Sequence, residues 1–187
     1  SIIGHPPGRD VAPRFYVSGS YADSMMELDG KGIAVKNLGN DIGRASGIKM
    51  CYAALTKGTS TLQVALLTVA ESLGLSVELH DELAYSQKGA LDSMKSGISK
   101  LPPNAHRWIG EMEEIAETFA AEGMTPDFHL GAAAIYRLLE QTPYALESPE
   151  NIDPNRTLAE TIAATAAQLP KSGIVGSKKV DQPVDTD

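Results

Sequence analysis

One lysine stands out in this 187-residue chain for where it sits. Gly43-Arg44-Ala45-Ser46-Gly47-Ile48-Lys49 opens a proline-free run from Ile42 to Leu73 that becomes almost wholly apolar, so the pattern puts Lys49 in the second turn of a helix. Lysine is seldom buried without a partner or a purpose. Gly43, Ala45 and Gly47 lack bulk, so a ligand or a preceding domain can approach that turn closely. An ammonium held there can give or take a proton. The alternative is that the Lys49 side chain simply snorkels to solvent.

Other chemistries find less support. His5, His80, His106 and His129 are scattered without metal-ligand spacing, so no zinc site is expected. Cys51 lies in an apolar stretch and reads as a small buried hydrophobe. As the single cysteine it excludes an intrachain disulfide and suits a reducing compartment, which points to the cytoplasm. No Gly-x-Ser-x-Gly elbow occurs. Neither a Gly-x-Gly-x-x-Gly fingerprint nor a P-loop is present, so these residues alone lack the standard cradle for a dinucleotide.

The elements that must position Lys49 change character near residue 40. Before it, Arg14–Val17 and residues 32–38 read as strands. Between them Tyr21–Leu28 reads as a two-turn helix with Met25, Met26 and Leu28 inward. One strand–helix–strand unit cannot bury its own sheet, so residues 1–40 look like the end of a larger α/β domain. Beyond Gly39 the reading is helical. Asn40 or Asp41 is the expected N-cap of the first helix, and Gly74 its stop. Leu62, Leu66, Val69 and Leu73 form the expected buried stripe. Because other faces are apolar too, this helix is expected to be central, covered by neighbours or by a partner subunit, and the chain to be a dimer. Further helices are expected over 77–86, 90–98, 105–121, 126–139 and 157–168. Trp108, Met112, Ile115 and Phe119 should face inward on one of them, and Leu130, Ala134 and Leu138 on another. Residues 171–187 have little to bury and are expected to be disordered.

Composition agrees with a mainly helical globular protein. The hydrophobic fraction is 42%, aromatics are only 5%, and the net charge is −8, which argues against a duplex nucleic-acid partner. No apolar run approaches a membrane span, and the first residues lack a signal-peptide pattern. The chain opens on Ser1 rather than Met, which suggests a processed or truncated product.

Ile42 to Leu75 resembles the start of the second domain in the 3-hydroxyacid dehydrogenase and 6-phosphogluconate dehydrogenase superfamily. That domain has a glycine-rich step, a catalytic lysine and a long helix ending Ala-Glu-x-Leu-Gly, here Ala70-Glu71-Ser72-Leu73-Gly74. Tyr16 to Ala22 is similar to the superfamily's Ser-Gly substrate loop. Glu111 to Tyr136 is similar to its penultimate helix pair. The resemblance implies that Lys49 polarises or protonates the substrate oxygen and that Ser18 and Gly19, with Ser20, hold a substrate carboxylate. Two positions depart from the pattern. Ala53 stands where an Asn is common, leaving Tyr52 as a substitute hydrogen-bond donor, and Ile109-Gly110-Glu111-Met112 lacks the usual Lys-Asp pair.

The expected fold class is mainly α. An all-α substrate and dimerisation domain, residues 41–170, is preceded by the terminal strand–helix–strand unit of a Rossmann-type α/β domain, residues 1–40. The expected function is the substrate part of an NAD(P)-dependent oxidoreductase acting on a small hydroxyacid or related polar molecule. NAD or NADP would be held mainly by a separate or upstream dinucleotide-binding segment, leaving this chain inactive by itself. The competing readings are a non-enzymatic helical dimerisation module and an imine- or ketone-reducing relative.

Overall fold

The computed structural model describes residues 1–8, 10–148 and 150–170. The tail expected to be disordered, 171–187, lies outside the described residues. The first forty residues form a small sheet ordered β1-β2-β3, comprising β1 (Ile2–Ile3), β2 (Arg14–Val17) and β3 (Ala34–Asn37). β1 runs antiparallel to β2, and β2 runs parallel to β3 with Phe15 opposite Val35. The crossover between the parallel strands is a 3₁₀ segment, Ala22–Leu28, not the two-turn α-helix expected. Only Ala22 is fully buried in it; of the residues expected inward, Met25 is half-buried while Met26 and Leu28 are exposed. Asp29 ends the crossover by accepting a hydrogen bond from the Val35 N–H at 2.8 Å, which ties the connection to β3 before a second turn can pack.

The rest is helical. α1 (Arg44–Leu73) runs thirty residues. It is followed by α2 (Ser76–Ser86), α3 (Lys88–Gly97), α4 (Ala105–Ala121), α5 (Asp127–Glu140) and α6 (Leu158–Ala166). Gly74 stops α1 as expected, in the left-handed conformation at φ 70° that glycine adopts without strain. Its start is not capped by Asn40 or Asp41. Gly43, at φ 97°, turns the chain into the helix with no side-chain cap.

α4 and α5 lie side by side and close against α1, while α6 covers the same inner face further along. The core holds Val64, Met112, Ile115, Ala133, Tyr136 and Leu139 with essentially no exposure. Trp108 meets Tyr136 edge-on at 5.4 Å. Met112 and Ile115 point inward as expected. The expected stripe on α1 does not: its buried residues include Ala53, Thr61, Val64 and Thr68, while Leu62, Val69 and Leu73 are exposed. Small and β-branched residues face the neighbours because α4, α5 and α6 all approach that side closely. A similar rotation affects α5, whose buried face is His129, Ala132, Ala133, Tyr136 and Leu139, leaving Leu130 and Ala134 exposed. His129 turns inward against the Phe119 ring at 4.3 Å, and burial lowers its pKa below the usual imidazole value.

α6 begins with a capping box. The Thr157 hydroxyl accepts from the Glu160 N–H at 3.2 Å, and the Glu160 carboxylate accepts from the Thr157 N–H at 2.7 Å. Just before it, Arg156 is clamped with its side chain 3% exposed. Its guanidinium donates to Glu147 Oε1 at 2.6 Å and to the Ser99 carbonyl, and stacks over the Tyr144 ring at 4.3 Å. Removing one member of such a pair strands the other. Arg156→Ala is expected to lower unfolding free energy by about 3 kcal/mol, read from urea melts. Lys88→Ala, which breaks the exposed Lys88–Asp92 pair, leaves the midpoint where it was.

Candidate functional site

β2 and β3 are parallel, and the loop Ser18-Gly19-Ser20 leaves at their carboxyl edge. Ligands of α/β sheets bind outside that edge. The loop is pinned twice. Gly19 N–H donates to the Gly39 carbonyl at 2.9 Å, and Gly19 itself sits at φ 106°, where a side chain would be strained. Ser18 Oγ accepts from the Ala45 N–H at 3.2 Å, joining the sheet edge to the first turn of α1. That bond satisfies one of the amide donors that every helix start leaves open. With Oγ accepting from Ala45, the hydroxyl hydrogen is free to point elsewhere. The N–H groups of Ser20 and Tyr21 make no backbone hydrogen bond among the described residues.

Between this loop and the start of α1 lies an open cleft of about 620 Å³, walled by Ser18, Gly19 and Ser20 on one side and by Ile42, Ala45 and Ser46 on the other. Free N–H groups, two serine hydroxyls and the positive end of a thirty-residue helix make it a place where a carboxylate is stabilised. The walls carry no charged side chain. Arg44, at the helix start, is exposed and pairs with Asp41 at 3.6 Å.

Lys49 lies one turn beyond Ala45, about 6 Å along the axis, and is half-buried. It does not line the cleft, and among the described residues it joins no ion pair. Tyr52 follows on the next turn with its ring 47% exposed. The structure therefore gathers Ser18, Gly19 and Ser20 in one wall and leaves Lys49 and Tyr52 on the helix face running away from it. Cys51, expected to be buried, is exposed. Among the described residues, no three His, Cys, Asp or Glu side chains come together as a metal site.

A second charged pair went unread in the sequence. Lys57 Nζ lies 2.5 Å from Glu111 Oε2 and 5.8 Å from the centre of the Trp108 ring. The Tyr136 hydroxyl donates to the Lys57 carbonyl at 3.4 Å. Burial, reinforced by the Glu111 charge, pushes the Tyr136 phenol well above its usual range. The signal was a lone charge between Leu55 and Leu62 in an otherwise uncharged stretch. Its partner is a carboxylate far along the chain, which spacing does not reveal.

Residues 70–139 match a family described as a domain of unknown function, DUF1932. No curated protein matches the chain. Among solved structures, a conserved hypothetical protein from Sinorhizobium meliloti 1021 shares the fold, with a TM-score of 0.65 and 22% identity over 82% of this chain and 51% of that one. A conserved protein of unknown function, reported to be structurally similar to 3-hydroxyacid dehydrogenases, matches at 29% identity. Its TM-score is 0.55, covering 69% of this chain and 50% of that one. The chain spans about half the length of each.

Ser18→Ala leaves the Ala45 N–H without its acceptor. Hydrogen exchange at the Ala45 amide is expected to quicken about tenfold, the equivalent of one lost hydrogen bond, while Ser18→Thr exchanges at the original rate.

Proposed function

We propose that this chain is the substrate-facing part of an NAD(P)-dependent oxidoreductase of the 3-hydroxyacid dehydrogenase type, working on a small hydroxyacid or related polar substrate in a reducing cytoplasm. The observation that carries the reading is the Ser18–Ala45 bond, which fixes a hydroxyl-bearing loop against the helix turn that precedes Lys49. In this reading the substrate carboxylate lies in the cleft. It accepts from the Ser18 and Ser20 hydroxyls and from the Ser20 and Tyr21 N–H groups. Gly19 serves by its conformation, since its own N–H is spent on Gly39. Lys49, one turn past the cleft and outside its walls, would turn its flexible side chain back toward the helix start to hold or release the proton at the substrate oxygen, with Tyr52 as a second donor.

A whole dinucleotide does not fit the residues present. The sheet has three short strands, no Gly-x-Gly-x-x-Gly segment follows any of them, and no loop offers the pyrophosphate a cradle. The cofactor would be held mainly by a segment outside these 187 residues. When bound, a nicotinamide supplies the hydride chemistry. Accordingly, calorimetric titration of this chain alone with NADH or NADPH is expected to show no binding in the micromolar range. Micromolar affinity would overturn this assignment of the cofactor's grip.

In the protein completed by that segment, Lys49→Ala is expected to lower turnover by about a hundred- to ten-thousand-fold. The melting temperature should barely move, because alanine is the best helix former and Lys49 is only half-buried. Turnover and melting measured on the same preparations decide it. Near-normal turnover, or loss of activity by unfolding, would show that Lys49 merely reaches solvent.

A further inference from the structure

A cavity of about 380 Å³ lies where α1, α2, α3 and α6 meet, near the carboxyl end of α1 and roughly 40 Å along its axis from the serine cleft. Its floor is apolar. Leu91 and Ile162 are 3% and 4% exposed, and Leu67 is half-buried. The space stays open because α2 fully buries none of its residues and turns Ser76 and His80 toward it, where larger apolar side chains would close it. On α1 and on α3 a floor leucine is followed one turn later by a charge, Glu71 after Leu67 and Lys95 after Leu91. These two charges have opposite signs and line one cavity, yet they do not pair with each other. Glu71 Oε2 accepts from the Ser76 hydroxyl at 2.5 Å, and its other oxygen takes no hydrogen bond among the described residues. Lys95 joins no ion pair among the described residues, since Asp92 on the same helix is held by Lys88 at 2.7 Å.

We propose that this cavity binds a free α-amino acid with an apolar side chain. A carboxylate and an ammonium standing apart over an apolar floor are the complement of a zwitterion. Glu71 accepts from the ligand's ammonium, Lys95 donates to its carboxylate, and an aliphatic side chain covers Leu67, Leu91 and Ile162. A fatty acid of the same shape sets a second negative charge near Glu71, and an amine a second positive charge near Lys95. Only a molecule carrying both charges is matched at both. At an exposed mouth such pairs are screened, so the buried side chain supplies most of the affinity while the charges select the ligand. The volume lies in the range of small-molecule pockets and suits one residue-sized occupant. The site shares no residue with the serine cleft and does not rest on the function proposed above.

Isothermal titration of the 187-residue chain with L-leucine is expected to show one site per chain with Kd below about 1 mM. Isocaproate, which is leucine without its ammonium, should bind about tenfold more weakly, as should isoamylamine, which lacks the carboxylate. Glycine, with no side chain to bury, should bind more weakly still. Glu71→Gln and Lys95→Met should each weaken L-leucine about tenfold. Both residues are exposed, so thermal melts of the two variants should match the parent and separate lost binding from lost fold. In heteronuclear spectra the amides moved by L-leucine should cluster at Ser76, Lys95 and Thr157, with Ser18 to Ser20 unmoved. Absence of binding at about 10 mM L-leucine, equal binding of isocaproate, an affinity unchanged in both variants, or shifts centred on the serine cleft each overturns the proposal. None of these readouts needs cofactor or turnover, so the site stands or falls separately from the dehydrogenase reading.

Discussion

The helical domain depends on how closely three helices can approach one face of α1. That face is built from Ala53, Thr61, Val64 and Thr68, not from the leucines that dominate the helix elsewhere. The Thr61 hydroxyl is satisfied locally, whereas the Thr68 hydroxyl is buried without a hydrogen-bond partner among the described residues. Thr61 donates to the carbonyls of Lys57 and Gly58, and across the interface Thr165 on α6 donates to the carbonyl of Thr161. With the Thr61 and Thr165 hydroxyls turned onto their own helices, these positions offer the neighbours methyl groups and small bulk. The large side chains of the core, Tyr136, Met112 and Ile115, then come from the packing helices and fill the space that α1 leaves.

The same constraint shapes the site. Leu66 and Leu67 pack against the core, but Leu55, Leu62 and Leu73 lie on the outside of α1, where Tyr52 is exposed and Lys49 half-buried. The sheet edge is joined to the start of α1 by one side-chain hydrogen bond from Ala45 to Ser18. Arg156 plays a comparable role at the other end of the domain, where a single buried cation gathers Glu147, Ser99 and Tyr144 around the entry to α6. Packing is dense along the middle of the domain, and specific polar contacts fix its two ends.

Much of this was legible in the residues. Proline and glycine punctuation marks the helices, so α4 falls on 105–121 as read, and Gly74 and Gly123 stand where chains turn. The resemblance carried by Ala70 to Gly74 and by Glu111 to Tyr136 agrees with the matched domain at 70–139. What was not legible was which apolar face of α1 turns inward. A periodicity argument counts leucine as interior and threonine as neutral, and here the tightest interface selects for size over hydrophobicity. Cys51 was misplaced for the same reason, being assigned to the core by its apolar neighbours. The Lys57–Glu111 pair is invisible in the sequence because it joins residues on two helices far apart in the chain.

α1 runs without a break from the cleft to Gly74, and this restricts how its sequence can drift. Each residue added to or removed from a helix turns everything beyond it by about 100° and shifts it by about 1.5 Å. An insertion between Lys49 and Lys57 could not be absorbed in a loop, because none exists there. It would swing Lys49 and the cleft around the axis while Lys57 stayed with Glu111, or carry Lys57 away while the cleft stayed. Substitutions on the outer face are individually cheap, but the spacing between these two lysines is a length that evolution can change only by rebuilding one end of the domain.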